Sequence, residues 1–299
     1  MIHKSESEEN AVKKEKTALP RTDLALETRR ESDTFREYTL CGVKVSEQRV
    51  CEAGERKRGR YVTVNCPVIK YLDPDITENL TEALSLIIRD FCRNLTGKEV
   101  DRETKVLVAG LGNRFITADA VGPRTADRIA VTGHMTGKDG LLSSLGCSSI
   151  SAVHPGVLGQ TGIEAVAMIR GAAEYVEPDV IIAVDALAAR DVGRLCSTVQ
   201  ITDTGIEPGS GIGNRRGAVN RETTGFPVIA IGVPTIVDSA TLVYDALTKA
   251  GIDEGGEALD KVLSDGKFFV SMRDSDVVTD EVSSLLASSV NRAFFAEGL

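Results

Sequence analysis

Apolar residues recur along the chain with two distinct periods. Between Thr77 and Leu95, the residues Leu80, Leu84, Ile87, Phe91 and Leu95 fall at steps of three and four, which predicts an amphipathic helix. Three short runs are continuously apolar instead: Val106 to Ala109, Val180 to Val184, and Val228 to Gly232. Runs of that length, without a helical stripe, read as strands buried on both faces. Tyr61 to Val64 is a fourth strand, β-branched and aromatic, ended by Pro67. Helices are expected after Gly112-Asn113, with Pro123 near the first turn, and over Gln160–Tyr175, about Ser239–Lys249 and Asp280–Phe295. Strands alternating with helices predict an α/β fold, a mostly parallel sheet flanked by helices. Residues 1 to about 37 are dense in charge and weak in pattern. They read as a mobile extension, interrupted by one partly apolar piece, Leu19 to Glu27.

Composition narrows the class. The 299 residues suffice for one large domain with a substantial core. The formal net charge is −9, the opposite of the basic excess that binds nucleic acid. No apolar run approaches the length needed to span a bilayer, and the charged N-terminus has no apolar core of a secretory signal. Six cysteines, at 41, 51, 66, 92, 147 and 196, show neither CxxC pairing nor zinc spacing. Reduced thiols in a cytoplasmic compartment are the expectation.

Sites in open parallel sheets form outside the carboxyl ends of the strands. Two acids stand there. Asp185 ends VIIAV, and Asp119 lies in GNRFITADAVGP, the loop leaving VLVAG. If those strands are neighbours, both carboxylates open into one crevice, where mutual repulsion can leave one ionised base and one protonated acid. The bland alternative has Asp119 capping the next helix and Asp185 paired with an arginine such as Arg190. Other patterns are weaker. Gly110-Leu111-Gly112 matches only part of a dinucleotide fingerprint, because Phe115 stands where the third glycine belongs. GSGIGNRRG lacks the ending of a P-loop. Asp203-Thr204-Gly205 occurs once, so a turn is preferred over a pepsin-like catalytic triplet. With only His3, His134 and His154, and no HExxH, a metalloprotease is improbable, and Cys147 with His154 is a weak nucleophile–base pair.

Taken together, GLGNRFITADAVGPRTADRIAVTGHM, HPGVLGQTGIE, VIIAVDALAAR, TDTGIEPGSGIGNRR and FPVIAIGVPTIVD resemble the germination protease (spore protease) family, across nearly the whole chain. The resemblance implies an endopeptidase that degrades small acid-soluble spore proteins when the spore germinates. It implies a fold like that of the hydrogenase maturation proteases, a homotetrameric zymogen, removal of its own N-terminal segment, and a location in the forespore or spore core. By motif, the family's two proposed catalytic aspartates correspond to Asp119 and Asp185.

Family substrates are expected to be cut after a large apolar residue preceded by an acid and followed by Ala, a further residue and Glu. Asp23-Leu24-Ala25-Leu26-Glu27 reproduces that order, so the resemblance implies self-cleavage at Leu24–Ala25. The division is then a pro-segment over 1–24 and a peptidase domain over 25–299. Acids flank that bond, so Arg114, Arg190, Arg215 and Arg216 are candidates to line the substrate groove. No cofactor or metal is expected, nor a nucleic-acid or membrane partner. Two rivals remain as alternatives: a non-catalytic nucleotide-binding α/β module resting on GLGN, and a hydrogenase maturation-type protease. The second is disfavoured because no histidine follows Asp185 to complete a nickel site.

Overall fold

The computed structural model describes residues 22–52, 56–66, 73–135, 146–209, 217–251 and 268–295. Among the described residues nine strands form one sheet: β1 (Thr34–Leu40), β2 (Val43–Val50), β3 (Gly59–Asn65), β4 (Lys105–Gly110), β5 (Ser149–Val153), β6 (Val180–Ala189), β7 (Thr198–Thr202), β8 (Val228–Asp238) and β9 (Phe269–Ser271). Their order is β1-β2-β3-β7-β8-β6-β4-β5, with β9 paired to β8. The α/β class stands, and the neighbours β8, β6, β4 and β5 run parallel. On the other flank β1, β2, β3 and β7 pair antiparallel with one another and onto β8, so the sheet is mixed.

The helices are α1 (Pro74–Thr96), α2 (Val121–Ala126), α3 (Leu158–Thr161), α4 (Ala165–Val176), α5 (Arg221–Thr224), α6 (Ser239–Lys249) and α7 (Ser275–Phe294). Helix α1 begins where Asp73 accepts the Asp75 N–H and Pro74 occupies the first position, and it ends at Gly97 in a left-handed conformation. Strand residues alternate between two cores. Val106, Val108, Val180, Ile182 and Val184 pack with α1 and α7, while Leu107, Ala109, Ile181 and Ala183 pack with α4. The run expected as one helix over Gln160–Tyr175 is broken at Gly162, whose φ of +70° closes α3 before α4 starts.

The N-terminal expectation is corrected in two respects. Residues 22–28 are not a free extension: Leu24 and Ala25 are fully buried, and Ala25–Thr28 forms a 3-10 turn. From Thr34 the chain is strand β1, an outermost strand whose alternating exposure hides it from a search for apolar runs. Strand β6 also continues to Ala189, so Asp185 is interior to its strand. Pro67 and Leu19–Arg21 lie outside the described residues.

Candidate active site

Unequal strand lengths place Asp185 next to the start of the loop that carries Asp119. Strands β4 and β6 are parallel neighbours, and Gly110, the last residue of β4, pairs with Val184. Asp185 is therefore the first β6 residue beyond the end of β4. The Leu111 N–H donates to Val184 O at 2.8 Å, fastening the loop that leaves β4 onto the segment holding Asp185. On the other side Asp185 is in register with Gly232 of β8. Asp185 is 4% exposed, and its Oδ1 accepts the Ala186 N–H at 2.9 Å. A carboxylate so buried is tolerated only with polar partners.

Asp119 sits half-buried in a 3-10 turn, Thr117–Asp119, just before α2. Its carboxylate turns back along the loop, and Oδ2 accepts the Asn113 N–H at 2.8 Å. It does not cap the following helix, which starts without a side-chain cap. Asn113 Oδ1 in turn accepts the Phe115 N–H at 3.0 Å and the Gln160 amide at 2.8 Å. Thr235 of β8 donates to Ala118 O at 2.6 Å, and Thr279 and Ser283 of α7 reach the carbonyls of Thr117 and Val121. Strand, loop and helix thus hold the turn from three sides.

The glycines of this loop serve the chain itself. At Gly112, with φ +111°, a Cβ would lie 2.1 Å from Asp119 O. At Gly122 it would lie 2.2 Å from Leu111 O and 2.4 Å from Val184 O. The loop is closed on Asp119, and the Asn113 N–H that a phosphate would need is given to that carboxylate. This disfavours the dinucleotide reading of GLGN.

The arginines separate. Arg114 is in the Asp119 loop, half exposed, and pairs with Asp127 at 3.2 Å; His154 approaches the same carboxylate at 3.4 Å. Arg190 follows β6 directly and points its guanidinium to Asp245 at 3.5 Å, in place of the pairing with Asp185 offered by the bland alternative. Arg215 and Arg216 lie outside the described residues. Asp203 accepts the Arg60 N–H at 2.9 Å where β7 ends, which makes Asp203-Thr204-Gly205 a structural turn. Cys147 is fully buried beside Phe295, and burial raises its thiol, so it is a poor nucleophile. Among the described residues no three His, Cys, Asp or Glu side chains gather to hold a metal, and no helix is long and apolar enough to cross a membrane.

The segment Asp23–Glu27 is docked onto the far end of β6. The Asp23 N–H donates to Ala188 O at 2.8 Å, and the Ala188 N–H returns to the Asp23 carboxylate at 2.9 Å. Leu24 fills a pocket of Leu187, Ala189, Leu195 and Val237. Glu27 accepts the N–H groups of Arg190 at 2.8 Å and Asp191 at 3.0 Å, and Arg194 closes on it at 3.3 Å. Gln200 Oε1 accepts the Ala25 N–H at 2.7 Å and its Nε2 donates to Asp23 O at 3.1 Å. Sequence reasoning missed Arg194 and Gln200. The one signal for Gln200 is a polar residue inside the apolar strand VQIT.

The comparisons bear on the whole of this arrangement. Residues 4–261 match the model of the family described as Peptidase_A25, germination protease. A germination protease of Caldanaerobacter subterraneus subsp. tengcongensis is 41% identical over 239 residues, which is 76% of this chain and 72% of that one. That of Clostridium acetobutylicum is 36% identical over 288 residues, 91% of this chain and 85% of that one. A solved [NiFe] hydrogenase maturation protease, HycI from Thermococcus kodakarensis KOD1, aligns with a TM-score of 0.32 and 15% identity, over 68% of this chain and 98% of that one. The family match spans both acid-bearing strands, the Asp119 loop and the docked segment, and on it this chain belongs to the germination protease family, a family of peptidases.

Proposed function

We propose that the chain is an aspartic-type endopeptidase that begins the degradation of small acid-soluble spore proteins during germination, with Asp119 and Asp185 as its catalytic pair. The observation that carries this reading is register: β6 outruns β4, so Asp185 emerges where the Asp119 loop leaves β4. Two carboxyls at such a place can share one proton. The ionised member takes a proton from the attacking water. The protonated member polarises the scissile carbonyl and then supplies the leaving nitrogen. The pair titrates as a unit, so the two roles belong to it jointly. Water and two carboxyls complete the chemistry without a cofactor, and Arg114, Arg190, Arg215 and Arg216 supply positive charge for an acidic substrate.

The same reading makes residues 1–24 a pro-segment, removed at Leu24–Ala25 by the enzyme's own site, in a homotetrameric precursor held in the spore interior. Burial adds a requirement. Both residues of that bond are fully buried, so residues 22–28 must lift off before any site can cut there.

Asp119→Asn and Asp185→Asn test the proposal. Each is expected to lower cleavage of a small acid-soluble spore protein by about 10²–10⁴-fold. Each should also leave the purified precursor at full mass under activating conditions. Wild-type-like cleavage by either variant overturns the pair. A new N-terminus at Ala25 in purified Asp119→Asn protein overturns self-processing.

A further inference from the structure

Every polar atom of Asn113 but one is committed inside the protein. Its N–H donates to Asp119 Oδ2 at 2.8 Å, and its main-chain carbonyl accepts the Ile116 N–H at 3.0 Å. Its Oδ1 accepts twice, from the Phe115 N–H at 3.0 Å and from Gln160 Nε2 at 2.8 Å. A main-chain N–H can only donate, so the Phe115 contact fixes which end of the Asn113 amide is oxygen, and with it the orientation of the Gln160 amide. The remaining atom is Nδ2, which has no acceptor among the described residues. The half-buried side chain is thus locked by its oxygen, with both amide hydrogens uncommitted. It belongs to the residue whose N–H already reaches Asp119. Gln160 comes from the far side: it lies in α3, which follows β5, and β5 pairs with β4 on the edge away from β6. Val157, itself buried, accepts the N–H groups of Gln160 at 2.8 Å and Thr161 at 3.1 Å, which anchors the turn. At Gly156, with φ +71°, a Cβ would come to 3.2 Å from Gln160 Oε1, so the glycine leaves that amide its place.

We propose that Asn113 is a further catalytic residue, an N–H donor to the oxygen of the scissile carbonyl, and that Gln160 is the positioning residue that holds it there. The inference rests on the reading of Asp119 and Asp185 as the catalytic pair. When water adds to the carbonyl carbon, its proton passes to the ionised carboxyl and the carbonyl electron pair moves onto oxygen. That oxygen accepts from Asn113 Nδ2 and from the protonated carboxyl. The C–N bond then breaks, and the proton of that carboxyl goes to the leaving nitrogen. Asn113 itself transfers no proton. A donor fixed in advance stabilises the developing charge without reorganising at the moment of reaction. The two contacts on Asn113 Oδ1 supply that fixing.

The test compares Asn113→Asp, Asn113→Ala and Gln160→Ala in the full chain, by cleavage of a small acid-soluble spore protein. Each variant is measured at its own optimum pH, so that an added charge does not count as a lost donor. An aspartate keeps an oxygen for the Phe115 N–H and for Gln160 but has no N–H to give. Asn113→Asp is therefore expected to lower kcat by about 10²–10³-fold with a much smaller change in KM, and Asn113→Ala by a similar factor. Gln160→Ala is expected to lower kcat about tenfold, again with KM nearly unchanged. Added to Asn113→Asp, it should cost nothing further, because there is no donor left to position. A variant that stays at full mass is scored on the rate at which its Ala25 N-terminus appears, the same chemistry in one turnover. Near-wild-type kcat in Asn113→Asp, or an equal loss from Gln160→Ala in both backgrounds, overturns the proposal. If circular dichroism finds the Asn113 variants unfolded, Gln160→Ala decides: a fall in kcat supports the proposal, and a change in KM alone overturns it. Failure of the catalytic pair is distinct, since Asp119→Asn or Asp185→Asn then cleaves as the wild type does, whatever Asn113→Asp does.

Discussion

The Leu111 N–H and the Val184 carbonyl are joined at 2.8 Å across the point where β4 ends and β6 continues. That one bond ties the Asp119 loop to the residue before Asp185. Gly122 completes the junction, because a Cβ there would meet the carbonyls of both Leu111 and Val184. Gly122→Ala is expected to cost about 1–3 kcal/mol in denaturant unfolding, since backbone rather than a flexible side chain must move. It should also lower peptidase activity by a larger factor than an equally destabilising substitution in α1. Equal activity per folded molecule in the two variants would contradict this role for the junction.

Thr235→Val removes the tether from β8 to Ala118 while keeping the shape of the side chain. Loss of that bond is expected to cost about 1 kcal/mol. The functional effect should exceed the stability effect, because Ala118 precedes Asp119 directly. Kinetics at a temperature where both proteins are fully folded checks it: kcat falls while KM changes little.

Leu24→Ala tests how firmly residues 22–28 are docked. Removing a buried leucine side chain costs about 2–5 kcal/mol when the structure cannot escape the cavity. Here it can escape by local undocking, which limits the global loss to the free energy of docking. The expected result is a small fall in global stability with much faster proteolysis of residues 22–28 by an unrelated protease. A full global loss without faster local cleavage would mean that the segment belongs to the cooperative core.

How much of this was legible follows from where each contact originates. Helix α1 and strands β4, β6 and β8 announced themselves, because their burial is written in consecutive apolar residues. Asp119 and Asp185 were legible as acids beside such strands. Strands β1 and β2 were not: TFREYTL and VKVSEQRV break their apolar positions with charged residues, β1 because it is an outermost strand and β2 because two of its residues face outward. The continuation of β6 past Asp185 was hidden because one acid interrupts an otherwise apolar run. Gln200 and Arg194 escaped notice because they bind residues more than 160 positions away, and no local period encodes such pairs.

The six cysteines should react in two groups. Cys66 is pushed up to about 12, and Cys92 and Cys196 to about 11, by burial that disfavours the thiolate. Cys147 is raised for the same reason and is fully buried. Only Cys51 is exposed, with Cys41 intermediate. A thiol-reactive disulfide reagent at pH 8 is therefore expected to modify Cys51 quickly, Cys41 more slowly, and the other four only after denaturant is added. Rapid modification of Cys66 in the native protein would contradict its placement.

Acid should weaken the antiparallel flank through a defined cluster. Arg60 binds Glu47 at 3.0 Å and also Asp90, and Arg36 binds Glu47 at 2.7 Å. Burial alone would raise the Glu47 carboxyl, but hydrogen bonds from Arg60 and Arg36 outweigh it and hold the group below its ordinary value. Asp90 is likewise lowered, with burial opposed and overcome by Arg60 and Arg93. A carboxyl titrating lower in the folded state than in the unfolded state binds fewer protons when folded. Its contribution to stability is complete above the unfolded values, about 4.3 for Glu and 3.9 for Asp, and disappears as pH falls through the lower folded values. Unfolding free energy should therefore decline from pH 5 downward, and Glu47→Gln should flatten that decline while lowering stability at pH 7. Denaturant titrations at pH 7, 5, 4 and 3 measure both effects. An unchanged slope in Glu47→Gln would remove the Arg60 cluster from the acid response and leave the other carboxyls to account for it.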